Sequence, residues 1–272
     1  MIRLIALDLD DTLLRSDLTI SYRTKKTVQK AIAAGISVVL ASGRTPAAME
    51  KFVKTLGMDK RNGYLICSNG TLIMKSATNT IVHGVKLPVE TALTAYDLCS
   101  AEGFAVQLYE HDIMYVSKTN EFTMYDQKLT GLKQVVAEDF RGLVAKGCYK
   151  LLIPGDPMIL QPLESILHTY LGESITLFTS KPYFLEILPP ETNKGTALEI
   201  VSQKLGIPRE EVAAVGDSMN DESMVRWAGL GIAMKNGDKR IKEIAGMVSD
   251  KTNDDDGVAI VIEKLMMYNN KA

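Results

Sequence analysis

Asp8, Asp10 and Asp11 follow directly on the apolar run IRLIAL (2–7). Carboxylates this close repel one another, so a cation or a reaction must offset the cost. Other polar groups crowd in the same way. Ser42, Gly43 and Arg44 follow ISVVLA, Ser68 and Asn69 follow YLIC, and Gly216, Asp217, Ser218, Asn220 and Asp221 follow VAAV. Lys194 sits in TNKG. Clustered acids without His or Cys favour a hard, oxygen-loving divalent ion, and Mg²⁺ fits best where a substrate phosphate helps to hold it. A lysine beside them would neutralise a phosphoryl group. A carboxylate close to metal-held phosphorus can attack it and form an aspartyl phosphate. The second acid, two residues on, lies on the same side of an extended segment. It can protonate the leaving oxygen and then activate water.

Taken singly, each cluster has an ordinary explanation. An Asp-rich turn caps helices, Ser42 is a common cap, Asn69-Gly70 is a turn signal, and an isolated lysine is usually solvated. Their joint placement carries the argument, and it depends on the elements that hold them. IRLIAL, ISVVLAS (36–42) and YLICSNG (64–70) read as short strands buried on both faces. Between them, Ser21 caps a helix to about Ala34, and Pro46 opens a second over 45–56. Strand–helix–strand–helix–strand implies a parallel sheet with right-handed crossovers. Ligands of such sheets bind beyond the carboxyl ends of the strands, and the polar clusters fall there.

After about residue 71 the pattern changes. TLIMKSATNTIVHG reads as a hairpin. A helix follows at about 89–102, then strands at 104–110 and 112–118, too close together for anything but antiparallel pairing. Helices near 119–129 and 157–171 and strands near 134–139, 149–153, 175–179 and 183–188 complete an α+β segment. The parallel pattern resumes with a helix at 192–206, a strand at 212–217, a helix at 220–229, a strand at 230–234 and a last helix at 256–267. The expected architecture is an α/β, Rossmann-like parallel-sheet core of residues 1–82 and 187–272, with an inserted α+β domain at 83–186.

Bulk properties exclude several classes. The chain has 272 residues, 46% of them apolar, and a net charge of −2 with no basic block, so neither nucleic acid nor an anionic membrane is an expected partner. No apolar run reaches the roughly 18 residues that span a bilayer, and residues 1–7 turn acidic too soon for a signal peptide. Cys67, Cys99 and Cys148 are widely spaced, which fits reduced thiols in the cytoplasm. Acids stand where a dinucleotide-binding G-x-G-x-x-G would be needed.

DLDDT, ASGR, TNKG and GDSMND, in this order and spacing, resemble the four motifs of the haloacid dehalogenase superfamily of phosphatases. The long insertion and the run KPYFLEILPPETNKG (181–195) resemble the Cof-type subgroup, whose α+β cap is of the C2B type. The resemblance implies Asp8 as nucleophile and Asp10 as general acid/base, with the Asp10 carbonyl also a metal ligand. It implies that Asp8 and Asp217 supply carboxylates to Mg²⁺, with Asp221 as an outer carboxylate behind them. Ser42 and Lys194 would bind the transferring phosphoryl group, Asn220 would touch phosphate, and Thr12 would orient the loop. Gly43 would allow close approach of phosphate, and Asn69 would line the pocket. Asp11 replaces the usual Gly, and Asp tolerates φ > 0 better than most residues.

The inserted domain would read the substrate. Glu186 is the candidate ligand for sugar hydroxyls, since a buried Glu needs a partner. Tyr183, Phe184 and Met124 are further lining candidates, while His83, His111 and His168 are scattered. The expected substrate is a small phosphorylated metabolite, with sugar phosphates first. Pyridoxal phosphate, flavin mononucleotide, a riboflavin precursor or phosphomutase chemistry are the alternatives. A monomer or weak homodimer is expected.

Overall fold

The computed structural model describes residues 1–61 and 63–269. In chain order the elements are β1 (Leu4–Leu7), α1 (Tyr22–Ala33), β2 (Ser37–Ala41), α2 (Pro46–Leu56), β3 (Tyr64–Cys67), β4 (Leu72–Lys75) and β5 (Ile81–Gly84). There follow α3 (Val89–Ala101), β6 (Gln107–Glu110), β7 (Ile113–Val116), α4 (Glu121–Thr130), β8 (Lys133–Val136), α5 (Phe140–Ala145), β9 (Leu151–Pro154), α6 (Pro157–Leu171), β10 (Thr176–Lys181) and β11 (Phe184–Leu188). The remainder holds α7 (Lys194–Leu205), β12 (Val212–Gly216), α8 (Glu222–Trp227), β13 (Leu230–Ala233), α9 (Lys239–Ile244), β14 (Met247–Val248) and α10 (Gly257–Asn269).

These elements form two compact units. The first comprises Met1–Gly43, Glu50–His83 and the chain from Asn193 onward; the second comprises Arg44–Met49 and Gly84–Thr192. The first unit is built on an eight-stranded sheet in the order β14-β13-β12-β1-β2-β3-β4-β5. Its strands from β14 to β3 are parallel, and β4 turns back against β3. Every residue of β1, β3 and β12 is buried, which explains why these strands read as continuous apolar runs. Leu7 lies opposite both Leu40 and Val215, so β1, β2 and β12 end level with one another. That register brings the polar residues after each strand to one edge.

The second unit carries a six-stranded sheet, β10-β11-β9-β6-β7-β8, antiparallel except where β8 runs parallel to β7. Helices α3, α5 and α6 cover one of its faces, packing Ala95, Phe140, Val144 and Leu167 against Val106, Leu108, Leu151, Ile153, Leu185 and Ile187. Period-two alternation therefore turns Gln107, Tyr109, Lys150, Leu152, Phe184 and Glu186 to the other face.

Several expected boundaries shift. The inserted unit runs to Thr192 rather than 186, because Leu185 and Ile187 are buried in its core and β11 pairs with β9 and β10. The expected strand 64–70 ends at Cys67, since Ser68 and Asn69 adopt left-handed backbone (φ 49° and 56°) that no strand accommodates. The expected helix 220–229 splits into a tight turn at Met219–Asp221 and the short helix α8. Helices α5 and α9 and strand β14 were not anticipated; at six, six and two residues they are too short to print a period. No helix among the described residues is long and apolar enough to cross a membrane.

Candidate active site

Asp8 follows β1 and is held there by its backbone N–H, which donates to the Val215 carbonyl on β12 (3.0 Å). Asp10 keeps an extended backbone (φ −71°, ψ 129°), and Asp11 then turns left-handed (φ 60°, ψ 6°). The Asn236 side-chain amide donates to the Asp11 carbonyl at 2.7 Å and fixes that turn. So the position where the resemblance expects Gly does require positive φ.

Lys194 opens α7. Asn193 caps this helix: its Oδ1 accepts from the Thr196 N–H (2.9 Å), and Thr196 Oγ1 accepts from the Asn193 N–H (3.2 Å). Gly70 permits the approach of this helix start, since a Cβ there would fall 2.3 Å from the Asn193 carbonyl oxygen at φ +104°. The Lys194 side chain, fully buried, donates to Asp8 Oδ1 and to Asp221 Oδ1, each at 2.6 Å. Burial pulls its pKa down, but Asp221 and Asp8 outweigh that and hold it above the usual lysine range.

Asp217 and Asp221 follow β12. Asp221 Oδ2 accepts from the backbone N–H groups of Asp217 (3.0 Å) and Ser218 (3.2 Å), so this carboxylate shapes the loop as well as pairing with Lys194. Thr12 Oγ1 donates to Asp217 Oδ1 at 2.8 Å, tying the first acidic loop to the second. Burial, then Asp221, raises the Asp8 carboxyl to about 7 against the opposing pull of Lys194. Burial and then Asp8 and Asp221 raise Asp217 well above the carboxylate range.

Asp8, Asp217 and Asp221 each offer a carboxylate oxygen, all within 4.8 Å of one another. A donor set made only of carboxylates, crowded enough to push its own protons on, fits a divalent cation with oxygen preference.

Ser42 follows β2, buried, with its N–H donating to the Ile66 carbonyl (2.9 Å) and its carbonyl accepting from the Asn69 N–H (3.0 Å). Asn69 Oδ1 accepts from the Asn220 side-chain amide at 3.3 Å, and Asn220 Oδ1 accepts from Ser218 Oγ at 2.6 Å. Ser42, Asn69 and Asn220 therefore join the loops after β2, β3 and β12. A Cβ at Gly43 would stand 2.9 Å from Asn69 Nδ2, so close approach of the Asn69 side chain is a structural reason for glycine there. Arg44 donates to the Leu129 carbonyl at 2.7 Å within the second unit.

Glu186 lies in the second unit on β11, buried, its Oε2 accepting from Lys150 Nζ at 2.8 Å. Tyr183 and Phe184 belong to an aromatic group with Phe122 and Tyr125, ring centroids 4.8 to 6.5 Å apart. Sequence reasoning missed Lys150 and its neighbours Gln107, Tyr109 and Asp126. One cue was present: Lys150 directly precedes the apolar strand LLIP.

Residues 5–262 match the haloacid dehalogenase-like hydrolase family. A solved haloacid dehalogenase-like hydrolase from Bacteroides thetaiotaomicron is 32% identical and superposes with a TM-score of 0.90, over 97% of this chain and 100% of that one. The Thermotoga maritima protein TM0651 is 30% identical with a TM-score of 0.84, over 97% of both chains. An Escherichia coli HMP-PP phosphatase is 30% identical over 237 residues, 87% of this chain and 85% of that protein. By these matches the chain belongs to the haloacid dehalogenase-like hydrolases and, within them, to the Cof-type phosphatases.

Proposed function

We propose that this phosphatase is a Mg²⁺-dependent hydrolase of small phosphorylated metabolites, sugar phosphates first, acting through an aspartyl phosphate on Asp8. The observation that carries the reading is Lys194 Nζ at 2.6 Å from both Asp8 and Asp221, with Asp217 beside them. Asp8 attacks phosphorus in line, the phosphorus–oxygen bond to the leaving group breaks, and Asp10 protonates the departing oxygen. Asp10 then takes a proton from water, the water oxygen attacks the phosphorus of the aspartyl phosphate, and Asp8 is released as carboxylate. Lys194 lowers the cost of placing a phosphoryl anion against Asp8 and, with Ser42, holds it. Gly43 would allow its close approach, and the amides of Asn69 and Asn220 would orient it. Mg²⁺, held by Asp8, Asp217 and the Asp10 carbonyl with Asp221 behind them, would neutralise charge on the phosphoryl oxygens.

The test is phosphate release from a panel of sugar phosphates, nucleotides, phosphorylated cofactors and HMP-PP. The last is included because the Escherichia coli relative is named for it. Each compound is run with Mg²⁺, with chelator, and with Asp8→Asn. Magnesium-dependent release that disappears in the variant supports the reading; undiminished release in Asp8→Asn would sink it. No release from any compound would point to a mutase, assayed by isomer interconversion with added bisphosphate. The free buried thiols Cys67, Cys99 and Cys148 favour a reducing, cytoplasmic setting. A chain working alone or as a weak homodimer, without nucleic acid or membrane, completes the proposal.

A further inference from the structure

The first unit has a cavity at the edge of its sheet opposite the acidic cluster. Ser42 and Asn69 lie beyond the carboxyl ends of β2 and β3, whereas the cavity lies where these strands begin, at Ser37 and Tyr64, beside the last turns of α1 and α7. Its volume is about 400 Å³, a size that suits a small organic molecule. Every residue that lines it belongs to the first unit. Val38 and Met58 are buried at its floor, Ile32 and Leu205 are half-buried in its wall, and Lys60 and Arg61 are exposed at its rim, so a ligand can enter from solvent.

The charge of this cavity is one-sided. Among the described residues no carboxylate pairs with Lys60 or Arg61. No acidic side chain among them lines the cavity, Asp59 included. The turn that carries the two cations is already fixed. The buried Ser76 hydroxyl donates to the Met58 carbonyl (2.9 Å) and approaches that of Arg61 (3.0 Å), and the Arg61 N–H donates to the Met58 carbonyl (3.1 Å). A ligand is thereby spared the cost of ordering that turn. The carboxyl ends of α1 and α7 carry partial negative charge and repel an anion. An anionic group therefore belongs at Lys60 and Arg61, and an apolar body belongs against Ile32, Val38, Met58 and Leu205.

We propose that this cavity is a second binding site, separate from the acidic cluster, for a small amphipathic carboxylate with an aryl or acyl body. The guanidinium of Arg61 offers a planar fork that matches a carboxylate, and Lys60 adds a second charge. Binding here does not depend on the phosphatase reading. Lys60→Gln combined with Arg61→Gln removes both charges at exposed positions, so the fold is expected to persist. Ile32→Trp fills the cavity from its half-buried wall.

The test is calorimetric titration of the full chain with 2-naphthoate and with octanoate, beside 2-naphthylmethanol and 1-octanol, which keep the apolar bodies and lack the charge. One saturable site is expected for at least one carboxylate. Loss of two exposed ion pairs predicts a dissociation constant about tenfold higher in the double Gln variant, and a comparable weakening for the matching alcohol. Ile32→Trp is expected to abolish binding. Absence of binding by either carboxylate at about 1 mM overturns the proposal. So does equal affinity in the double Gln variant, or equal affinity of the matching alcohol. Carboxylate binding that persists undiminished in a folded Ile32→Trp protein places the anion on the surface and also overturns it. If Ile32→Trp does not fold, by circular dichroism, the double Gln variant and the alcohols decide between the same two outcomes.

Discussion

Lys194 is a cation with no exposure to water, and it is kept charged by two carboxylates at 2.6 Å. Removing one partner of a buried ion pair leaves the others uncompensated. Lys194→Met is therefore expected to lower unfolding stability by about 3–5 kcal/mol, read as a shifted urea midpoint, and to abolish phosphate release. Asp8→Asn removes the proposed nucleophile while keeping its shape, so activity should fall at least about a thousandfold with the fold intact by circular dichroism. Asp11 behaves differently. Its backbone is left-handed, a conformation glycine adopts without strain, and Asn236 holds its carbonyl, which glycine keeps, so Asp11→Gly should keep kcat/KM within about threefold of wild type. At this scale the sequence was informative where acids crowd: the close placement of Asp8, Asp217 and Asp221 was legible because such repulsion has few purposes. Gln107, Tyr109 and Asp126 were not, since only the folded sheet brings their polar atoms together.

Among the elements, α7 matters most to the proposed chemistry, because its first residue is Lys194. Two local devices set its start: the Asn193–Thr196 capping pair and the room left by Gly70. Asn193→Ala should cost about 1 kcal/mol in stability. Gly70→Ala puts a methyl into the Asn193 carbonyl and strains a positive φ, so it should cost more than the cap loss. It should also depress kcat by displacing Lys194; equal kcat in Gly70→Ala and wild type would refute that account. The parallel strands were readable because burial on both faces prints continuous apolar runs, as in LIAL and VAAVG. Strand β11 was only partly readable. Phe184 and Glu186 alternate with core residues Leu185 and Ile187, and nothing in FLEIL says to which of two sheets the strand belongs.

For the molecule as a whole, the three cysteines are buried in two different units and form no disulfide. Burial pushes each thiol up to about 12. Thiolate is the reactive form, so a thiol-specific disulfide reagent should titrate none of them in the native protein at neutral pH and all three after denaturation. Rapid reaction of the folded protein would show that one unit opens locally. The division into a parallel-sheet unit and an inserted α+β unit was legible from the change in strand spacing near residue 71. The exact return point was not, because both sides of it are apolar strand and proline-containing loop.

The ammonium of Lys194 already lies between two of the three carboxylates that could share a divalent ion. The chain thus brings its own counter-charge, unlike small metal-dependent domains that stay unfolded until their ion arrives. On the Mg²⁺-dependent reading proposed above, newly made protein would complete its fold in a cell starved of magnesium and wait there, intact and idle. Its activity would then follow the free magnesium supply without any turnover of the polypeptide, making ion availability a reversible throttle on the enzyme rather than a condition of its survival.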